Sequence, residues 1–282
     1  MARCLVTILP VAIGWGLVSC GLVANITTLP TSVDGGAVDT GAVSASPYVA
    51  TVLADSPVAY FRLGESSASE AAANEVPGGV NGSYTGGLSL GAMGAIAGDP
   101  DTAVSLVGGS ISLGTSAFEF AGSSPFTLEA WVATTTAAHD QEILVKRDSD
   151  AASGSLNGWV LFVAQGDTVC LERWYGSMAA NQADMVCSTV ALTEGQYSHV
   201  AATYDGATLA VYVRGQLSAT ATSTAMISST VSPCLIGNDY YFKPSNVEGR
   251  VDEVALYDYA LSAGRILAHE EAGLRELSPD AH

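Results

Sequence analysis

Short apolar runs recur along the chain from Pro47 onward, and clusters of Gly, Asp, Asn and Pro separate them. The runs are rich in Val, Thr, Phe, Tyr and Trp, residues that pack well on a pleated surface. Many short strands bounded by turn residues are typical of a sandwich or a barrel. The pattern shows neither heptads nor an internal repeat. We therefore predict an all-β domain.

The clearest local structure lies in residues 197–219. Apolar and polar residues alternate on both sides of Asp205-Gly206. An Asp-Gly pair between alternating runs predicts a tight hairpin. A second turn at Arg214-Gly215 leads into a further strand-like run. The segment is therefore predicted to form a three-stranded antiparallel meander.

A single helix is predicted, over residues 262–277. Ser262 is a suitable N-cap, apolar residues follow at near-helical spacing from Ile266, and Gly273 is a candidate C-terminal break. The fold class is therefore all-β with one short C-terminal helix.

Two kinds of aromatic position can be distinguished. Trp131 and Trp159 lie inside strand-like runs, so we predict that they pack in the core, with sugar-stacking platforms as the alternative. Trp174-Tyr175, beside Gly176 at a turn, is expected to be reachable from solvent. The Tyr240-Tyr241 cluster is the preferred ligand surface, with a loop held by its own aromatic side chains as the alternative. The candidate ligand-binding residues are Trp174, Tyr175, Tyr240, Tyr241 and Asn246.

The charge balance limits the partners. The chain has 10 Lys and Arg against 28 Asp and Glu, a net charge of -18. Such a chain repels phosphate backbones and anionic lipid surfaces. We expect no nucleic-acid partner, and contact with a membrane only through an anchor. The scattered acidic residues indicate a solvated surface or, as the alternative, divalent-cation sites.

The first twenty residues have the pattern of an export signal: Arg3, an apolar stretch, then the small polar Ser19. Leu17-Val18-Ser19-Cys20 resembles the lipobox of bacterial lipoproteins, and this resemblance implies that Cys20 carries the lipid. The alternative is an ordinary secretory signal. We expect an exported, membrane-anchored lipoprotein at the cell envelope or surface.

The chain is predicted to have four parts. The signal covers residues 1–20, and residues 21–46, rich in Gly, Ser and Thr, form a flexible linker. One folded domain spans residues 47–277, and residues 278–282 form a tail. A chain of this length has room for one large β domain but not for a second.

Three cysteines remain in the predicted domain, so at most one disulfide can form there. Cys170 and Cys187 lie in apolar segments that are candidates for neighbouring strands of one hairpin. A disulfide between them is then geometrically allowed in an oxidising compartment. Three buried thiols, with Cys234 as the third, are the alternative.

Seven segments form an ordered series: VLADSPVAYFRLGE at 52–65, NGSY at 81–84, GDPDTAV at 98–104, FTLEAWV at 126–132, WVL at 159–161, HVAATYDG at 199–206 and GRVDEVALY at 249–257. The series resembles the bacterial laminin-G-like, concanavalin A-like jelly-roll family and spans almost all of the predicted domain. The resemblance implies a two-sheet antiparallel jelly-roll sandwich. It says little about the ligand, because one fold hosts many functions.

The sequence lacks the catalytic patterns expected of an enzyme with this fold. Glucanases of this fold class carry a Glu-x-Asp-x-Glu-type array on one strand, and the chain has none. Asp252 and Glu253, adjacent in a strand-like run, are predicted to lie on opposite faces. The four histidines lack metal-ligand spacing, and His199 is predicted to be a strand residue satisfied by backbone groups. We therefore predict that the protein is not an enzyme.

Calcium is the one cofactor that the resemblance implies. Relatives in the wider laminin-G-like group hold Ca²⁺ with oxygen ligands. The best candidates here are Asp252 with Asn81 or Asp99, all in matching segments. The segment NEVPGG at 74–79 departs from the family, in which an Asp followed by Gly and Asn is common there.

The predicted function is a non-catalytic binding module for carbohydrate or cell-surface ligands. The motivation is the resemblance together with the missing catalytic array. The alternatives are a glycan hydrolase with an unrecognised site and an adhesive envelope protein without a small ligand.

Overall fold

A computed structural model describes residues 46–150, 155–177, 180, 182–238 and 245–275. In chain order the elements are α1 (Pro47–Ala54), β1 (Ala59–Phe61), β2 (Ala71–Ala72), β3 (Gly82–Thr85), β4 (Leu88–Met93), β5 (Thr102–Val107), β6 (Ser110–Ser112), β7 (Phe126–Thr134), β8 (Gln141–Asp150), β9 (Ser155–Val163), β10 (Thr168–Ser177), β11 (Ala183–Ala191), β12 (Ser198–Tyr204), β13 (Thr208–Val213), β14 (Gln216–Thr222), β15 (Leu235–Ile236), β16 (Glu248–Tyr257) and α2 (Ala263–Leu274).

The strands form two antiparallel sheets. Sheet A has the order β14-β13-β12-β7-β16-β5-β4, and β1 pairs with β16. Sheet B has the order β11-β10-β9-β8-β15-β6-β3-β2. The predicted all-β jelly-roll sandwich is confirmed.

The main core lies between the sheets. Alternate residues of each strand point inward, so residues such as Leu128 and Val200 of sheet A and Leu161 and Leu171 of sheet B share one apolar cluster. Trp159 belongs to this cluster and is fully buried. Trp131 is also buried, but it belongs to a second cluster on the outer face of sheet A. Both tryptophans are core residues, as predicted.

The predicted meander is confirmed in β12, β13 and β14. Tyr204 pairs with Leu209 across the first turn. At the second turn the backbone of Arg214 and Gly215 has φ values of 51° and 70°. Two successive positive φ angles match the right-handed twist of the flanking strands, and glycine adopts them without steric cost.

The C-terminal helix forms as predicted, and Ser262 is its N-cap, with its hydroxyl accepting a hydrogen bond from the Arg265 amide. The prediction for Gly273 is wrong, because this residue lies inside α2. A Cβ atom there would lie 2.4 Å from Cζ2 of Trp131. Glycine is therefore needed for close packing on the sheet and not for ending the helix.

The prediction of a single helix is also wrong, because residues 47–54 form α1. Pro47 begins the helix, where its missing N–H has no helical partner to lose. Tyr48 and Val52, four residues apart, are fully buried. An eight-residue run that includes valine and threonine gives little sequence signal for a helix.

No described helix is long and apolar enough to cross a bilayer. Cys20, most of the predicted linker and the predicted tail lie outside the described residues. Lipidation at Cys20 therefore stays a prediction.

Candidate functional site

The outer face of sheet A is closed by both helices. Tyr48 and Val52 of α1, and Ile266 and Ala272 of α2, are buried in the same apolar cluster as Trp131 of β7. The two helices therefore cover the central part of this face.

A charged network lies under these helices. Glu129 of β7 is fully buried, and its Oε2 lies 2.9 Å from Nδ1 of His269 on α2. The other ring nitrogen of His269 lies 2.8 Å from Oδ2 of Asp55, which follows α1. The Tyr257 hydroxyl donates to Glu129 Oε1 at 2.8 Å. The network therefore ties α1 and α2 to the sheet.

The network shifts the pKa values of Glu129 and His269. Burial alone would raise the pKa of Glu129, but His269 and His199 together hold it well below its usual range. Burial alone would lower the pKa of His269, yet Glu129 and Asp55 raise it above its ordinary value. Both shifts favour a charged pair.

His199 is a buried strand residue, but its predicted partners are wrong. Its Nε2 lies 3.4 Å from Glu129 Oε2 and its Nδ1 lies 3.9 Å from Glu270 Oε2. Neither ring nitrogen has a hydrogen bond among the described residues. The ring therefore faces carboxylates instead of backbone groups.

The outer face of sheet B is built differently. Strand register places its residues in three rows across the strands. The first row contains Arg147, Gly158 and Trp174, the second contains Val145, Val160, Glu172 and Met185, and the third contains Glu142, Phe162, Cys170 and Cys187. We call this surface the β8–β11 face. It combines an apolar floor, a charged group and an aromatic side chain.

The floor consists of a small apolar cluster that includes Val145, Val160 and Phe162. Cys170 and Cys187 belong to it, and a disulfide joins them across β10 and β11, with their Cα atoms 4.0 Å apart. Directly opposed residues of an antiparallel pair bring the two sulfur atoms within bonding reach. The third cysteine, Cys234, is a buried thiol.

The charged group runs from the interior of the face to its border. Arg147 donates to Glu142 Oε1 at 2.7 Å, and its Nη1 lies 3.8 Å from Glu172 Oε2. The side chains of Arg147 and Glu142 are 5% and 8% exposed, whereas that of Glu172 is 19% exposed. Solvent therefore reaches the group at Glu172.

Trp174 is held by the same carboxylate. Its indole Nε1 donates to Glu172 Oε2 at 2.9 Å. Burial raises the pKa of Glu172, while the indole and Arg147 oppose the rise. The polar edge of the indole is thus fixed by an acceptor.

The predicted ligand residues are only partly brought together. Trp174 is 9% exposed and Tyr175 is 36% exposed, at the end of the same strand. Asn246 is half-buried in the segment before β16, and no hydrogen bond among the described residues joins it to Trp174 or Tyr175. Tyr240 and Tyr241 lie outside the described residues.

The predicted calcium ligands already have partners. Asp99 accepts from Arg62 at 2.7 Å and from the Asp101 amide at 3.0 Å. Asp252 accepts from the backbone amides of Ala95 and Glu253. The third candidate, Asn81, accepts from the Asn74 amide.

Arg62 occupies the centre of this acidic region. Its guanidinium contacts Asp99, Asp101 and Glu253 at 2.7, 3.1 and 3.0 Å. Among the described residues, no group of three or more His, Cys, Asp or Glu side chains is arranged to hold a metal ion. The residues present therefore fit an arginine better than a calcium ion, and calcium binding stays a prediction.

The prediction that Asp252 and Glu253 lie on opposite faces is wrong. A bulge in β16 separates the pairs Asp252–Trp131 and Ala255–Glu129 by one extra residue, and Glu253 has a φ of 52°. Both carboxylates therefore join the Arg62 region. Burial, partly offset by Arg62, raises the pKa of Glu253 to about 7.

Four residues of this face were not among the predicted site residues: Glu142, Arg147, Glu172 and Met185. One signal was available in the VCLERWYG run, where Cys170, Glu172 and Trp174 alternate at intervals of two. Alternation places them on one face of a strand. The contribution of β8 to that face depends on pairing that the local pattern does not give.

Three solved structures resemble the chain in fold. Domain 4 of AbnA, a GH43 extracellular arabinanase from Geobacillus stearothermophilus, in complex with arabinotriose, has a TM-score of 0.55 at 17% identity over 76% of this chain and 98% of that domain. The binding domain of Botulinum neurotoxin DC, in complex with rat synaptotagmin II, has a TM-score of 0.56 at 10% identity over 78% of this chain. The binding domain of Paraclostridial Mosquitocidal Protein 1 has a TM-score of 0.53 at 14% identity over 74%.

The match covers about half of each toxin domain, 52% and 51%. At these identities the likeness establishes the fold alone. No curated protein shows a match to the sequence. A family model of the concanavalin A-like lectin/glucanases superfamily matches residues 107–267, which is more than half of the chain. With its two antiparallel sheets and this match, the chain belongs to the concanavalin A-like lectin/glucanases superfamily.

Proposed function

We propose that the chain is a non-catalytic binding module of an exported, lipid-anchored surface protein, with its ligand site on the β8–β11 face. The ligand is a glycan or a cell-surface protein. The observation that carries the proposal is the exposed border of the β8–β11 face. The floor of this face is buried, with Val160 0% and Phe162 7% exposed, but Glu172 and the 52% exposed Met185 reach solvent at its border.

The arrangement of carboxylates supports binding more than hydrolysis. Glycosidases place two carboxyl groups across the scissile bond, one as an acid and one as a base or nucleophile. Here Glu142 and Glu172 flank the same guanidinium, and Glu129 is buried under the helices. Such carboxylates are suited to accepting hydrogen bonds.

The neighbours in fold give general support. The arabinanase domain is found with arabinotriose and the neurotoxin domain with synaptotagmin II. Binding, of a saccharide or of a protein, is therefore a role that this fold performs in both. We extend that role to this chain, and not those particular ligands.

The test is a glycan-array screen of the full chain purified in detergent, with calcium and with a chelator. We expect binding that Met185→Ala weakens severalfold, because Met185 lies beside Glu172 on the face. Met93→Ala is the matched control, since Met93 is 72% exposed on β4 of the other sheet. Binding that both variants reduce equally, or that neither reduces, contradicts this location of the site.

Two other results would favour a function different from the proposed one. Release of reducing sugars by the wild-type chain would favour a hydrolase. Retention on intact cell envelopes without binding to any arrayed glycan would favour an adhesive protein. Binding that the chelator abolishes would support the predicted calcium site.

The anchor is tested separately. Cys20→Ser is expected to lose metabolic labelling by an alkynyl fatty acid and to leave the membrane fraction, because the thiol would carry the lipid. Retained labelling of this variant, or an unlabelled wild-type chain, would count against a lipid at Cys20. Neither result bears on the ligand face.

A further inference from the structure

The two oxygens of the Glu172 carboxylate have different surroundings. The Trp174 indole donates to Oε2, and Nη1 of Arg147 lies 3.8 Å from the same atom. Among the described residues Oε1 has no hydrogen-bond partner, and the side chain is 19% exposed. One oxygen is therefore fixed while the other is open to a ligand.

The cations nearby compensate the charge of this carboxylate only in part. Arg147 lies on the same face as Glu172, but its contact with Glu142 is shorter, at 2.7 Å against 3.8 Å. Its neighbour Lys146 points the other way and donates to two carbonyl oxygens. Arg173, the other cation of these strands among the described residues, also donates to carbonyl oxygens on the inner side.

Apolar surface lies next to the open oxygen. Met185 is the register partner of Glu172 and is half exposed, while Val160 on the other side of Glu172 is fully buried. A fixed acceptor beside exposed apolar atoms suits a ligand that has hydroxyl groups and apolar C–H surface.

We propose, resting on the function proposed above, that Glu172 Oε1 accepts hydrogen bonds from ligand hydroxyl groups, so that this face selects neutral saccharides over those that carry carboxylate or sulfate groups. Hydrogen bonds to an ionised acceptor are stronger than those between neutral groups. An anionic ligand would meet this carboxylate, which Arg147 shields only from 3.8 Å, on a chain of net charge -18.

Protonation would remove the negative charge that strengthens this acceptor. Burial raises the pKa of Glu172, so the carboxylate is lost at a higher pH than an exposed glutamate would be. Affinity for the ligand is therefore expected to fall as the pH is lowered through this raised pKa.

The experiment measures binding of the full chain to neutral galactan, mannan and arabinan oligosaccharides and to size-matched oligogalacturonates and sulfated galactans. We expect the neutral probes to bind. Glu172→Gln should weaken that binding about tenfold or more, because a charged hydrogen bond is lost. Glu271→Gln is the control, with the same change of charge on the exposed side of α2. Circular dichroism checks that both variants fold.

The outcomes separate the two proposals. Preferential binding of acidic probes, or neutral binding that Glu172→Gln leaves unchanged, overturns the inference while the binding function stands. Neutral binding that is lost in Glu172→Gln and kept in Glu271→Gln supports both. Binding of no saccharide by the wild-type chain overturns the inference and removes the glycan arm of the proposed function.

Discussion

The outer faces of the two sheets both carry carboxylates and cations, but they use them differently. On sheet A, Glu129 and His269 are fully covered by α1 and α2, and the group reaches solvent only at Asp55, whose side chain is 15% exposed. On sheet B the group around Arg147 reaches solvent at Glu172. A charge that is fully covered needs protein partners, because unpaired burial costs several kcal/mol. A charged group at the border of a face can still form hydrogen bonds with water or with a ligand.

The largest loss of stability is expected from Glu129→Gln, under the helices on sheet A. This change leaves His269 beside a neutral amide in a dry site. Breaking a buried ion pair lowers the free energy of unfolding by about 3–5 kcal/mol. Urea denaturation followed by circular dichroism at pH 7 measures it, with Glu271→Gln as the exposed control. A loss no larger than that of the control would mean that the helices do not depend on this network.

The disulfide is expected to give the next largest effect on stability, on the β8–β11 face. It closes a loop with a sequence separation of 17 residues, for which chain entropy predicts about 3 kcal/mol. Replacing Cys170 and Cys187 together by alanine should lower the unfolding free energy by that amount. A dithiol reductant should reproduce the loss in the wild type and leave the double variant unchanged. A wild-type melting curve that the reductant does not shift would contradict this role.

The pH dependence of stability is expected to be smaller and to have a defined sign. The pKa of His269 is raised above 6.5 in the folded state, so its contribution is complete below that pH and is lost as pH rises through the folded value. The lowered pKa of Glu129 gives a contribution that is present above 4.5 and is lost on acidification. The stability gap between wild type and His269→Gln should therefore be widest between these values. Denaturation curves across the range measure it, and a gap that widens toward alkaline pH would contradict the assignment.

The smallest stability effect is expected from Glu172→Gln. The side chain lies at the border of its face, and the amide oxygen can still accept from Trp174. The free energy of unfolding should stay within about 0.5 kcal/mol of wild type. A large loss would make Glu172 a structural residue like Glu129, and the contrast between the two faces would disappear.

The elements that local sequence predicts are those with local pairing. The meander follows from Asp205-Gly206 and Arg214-Gly215, and α2 begins at its predicted cap, Ser262. The burial of Trp131 and Trp159 follows from their positions in strands. In each case the neighbours along the chain carry the information.

The candidate site could not be predicted from local sequence in the same way. Arg147 meets Glu172 only because β9 lies between β8 and β10 in the sheet. The bulge that places Asp252 and Glu253 on one side depends on pairing with β7, more than 100 residues earlier in the chain. Long-range pairing decides both arrangements, and no local pattern encodes it.

The position of β16 sets the order in which the domain can be completed. This strand lies between β7 and β5, and among the described strands it alone joins the two parts of sheet A. While the ribosome is still making residues 248–257, β7 and β5 have no partner on their facing edges. Closure of the sandwich must therefore wait for the last part of the chain, and such late closure slows folding. Late closure would suit the export proposed above, because a chain threaded through a translocation pore must stay unfolded until it has crossed.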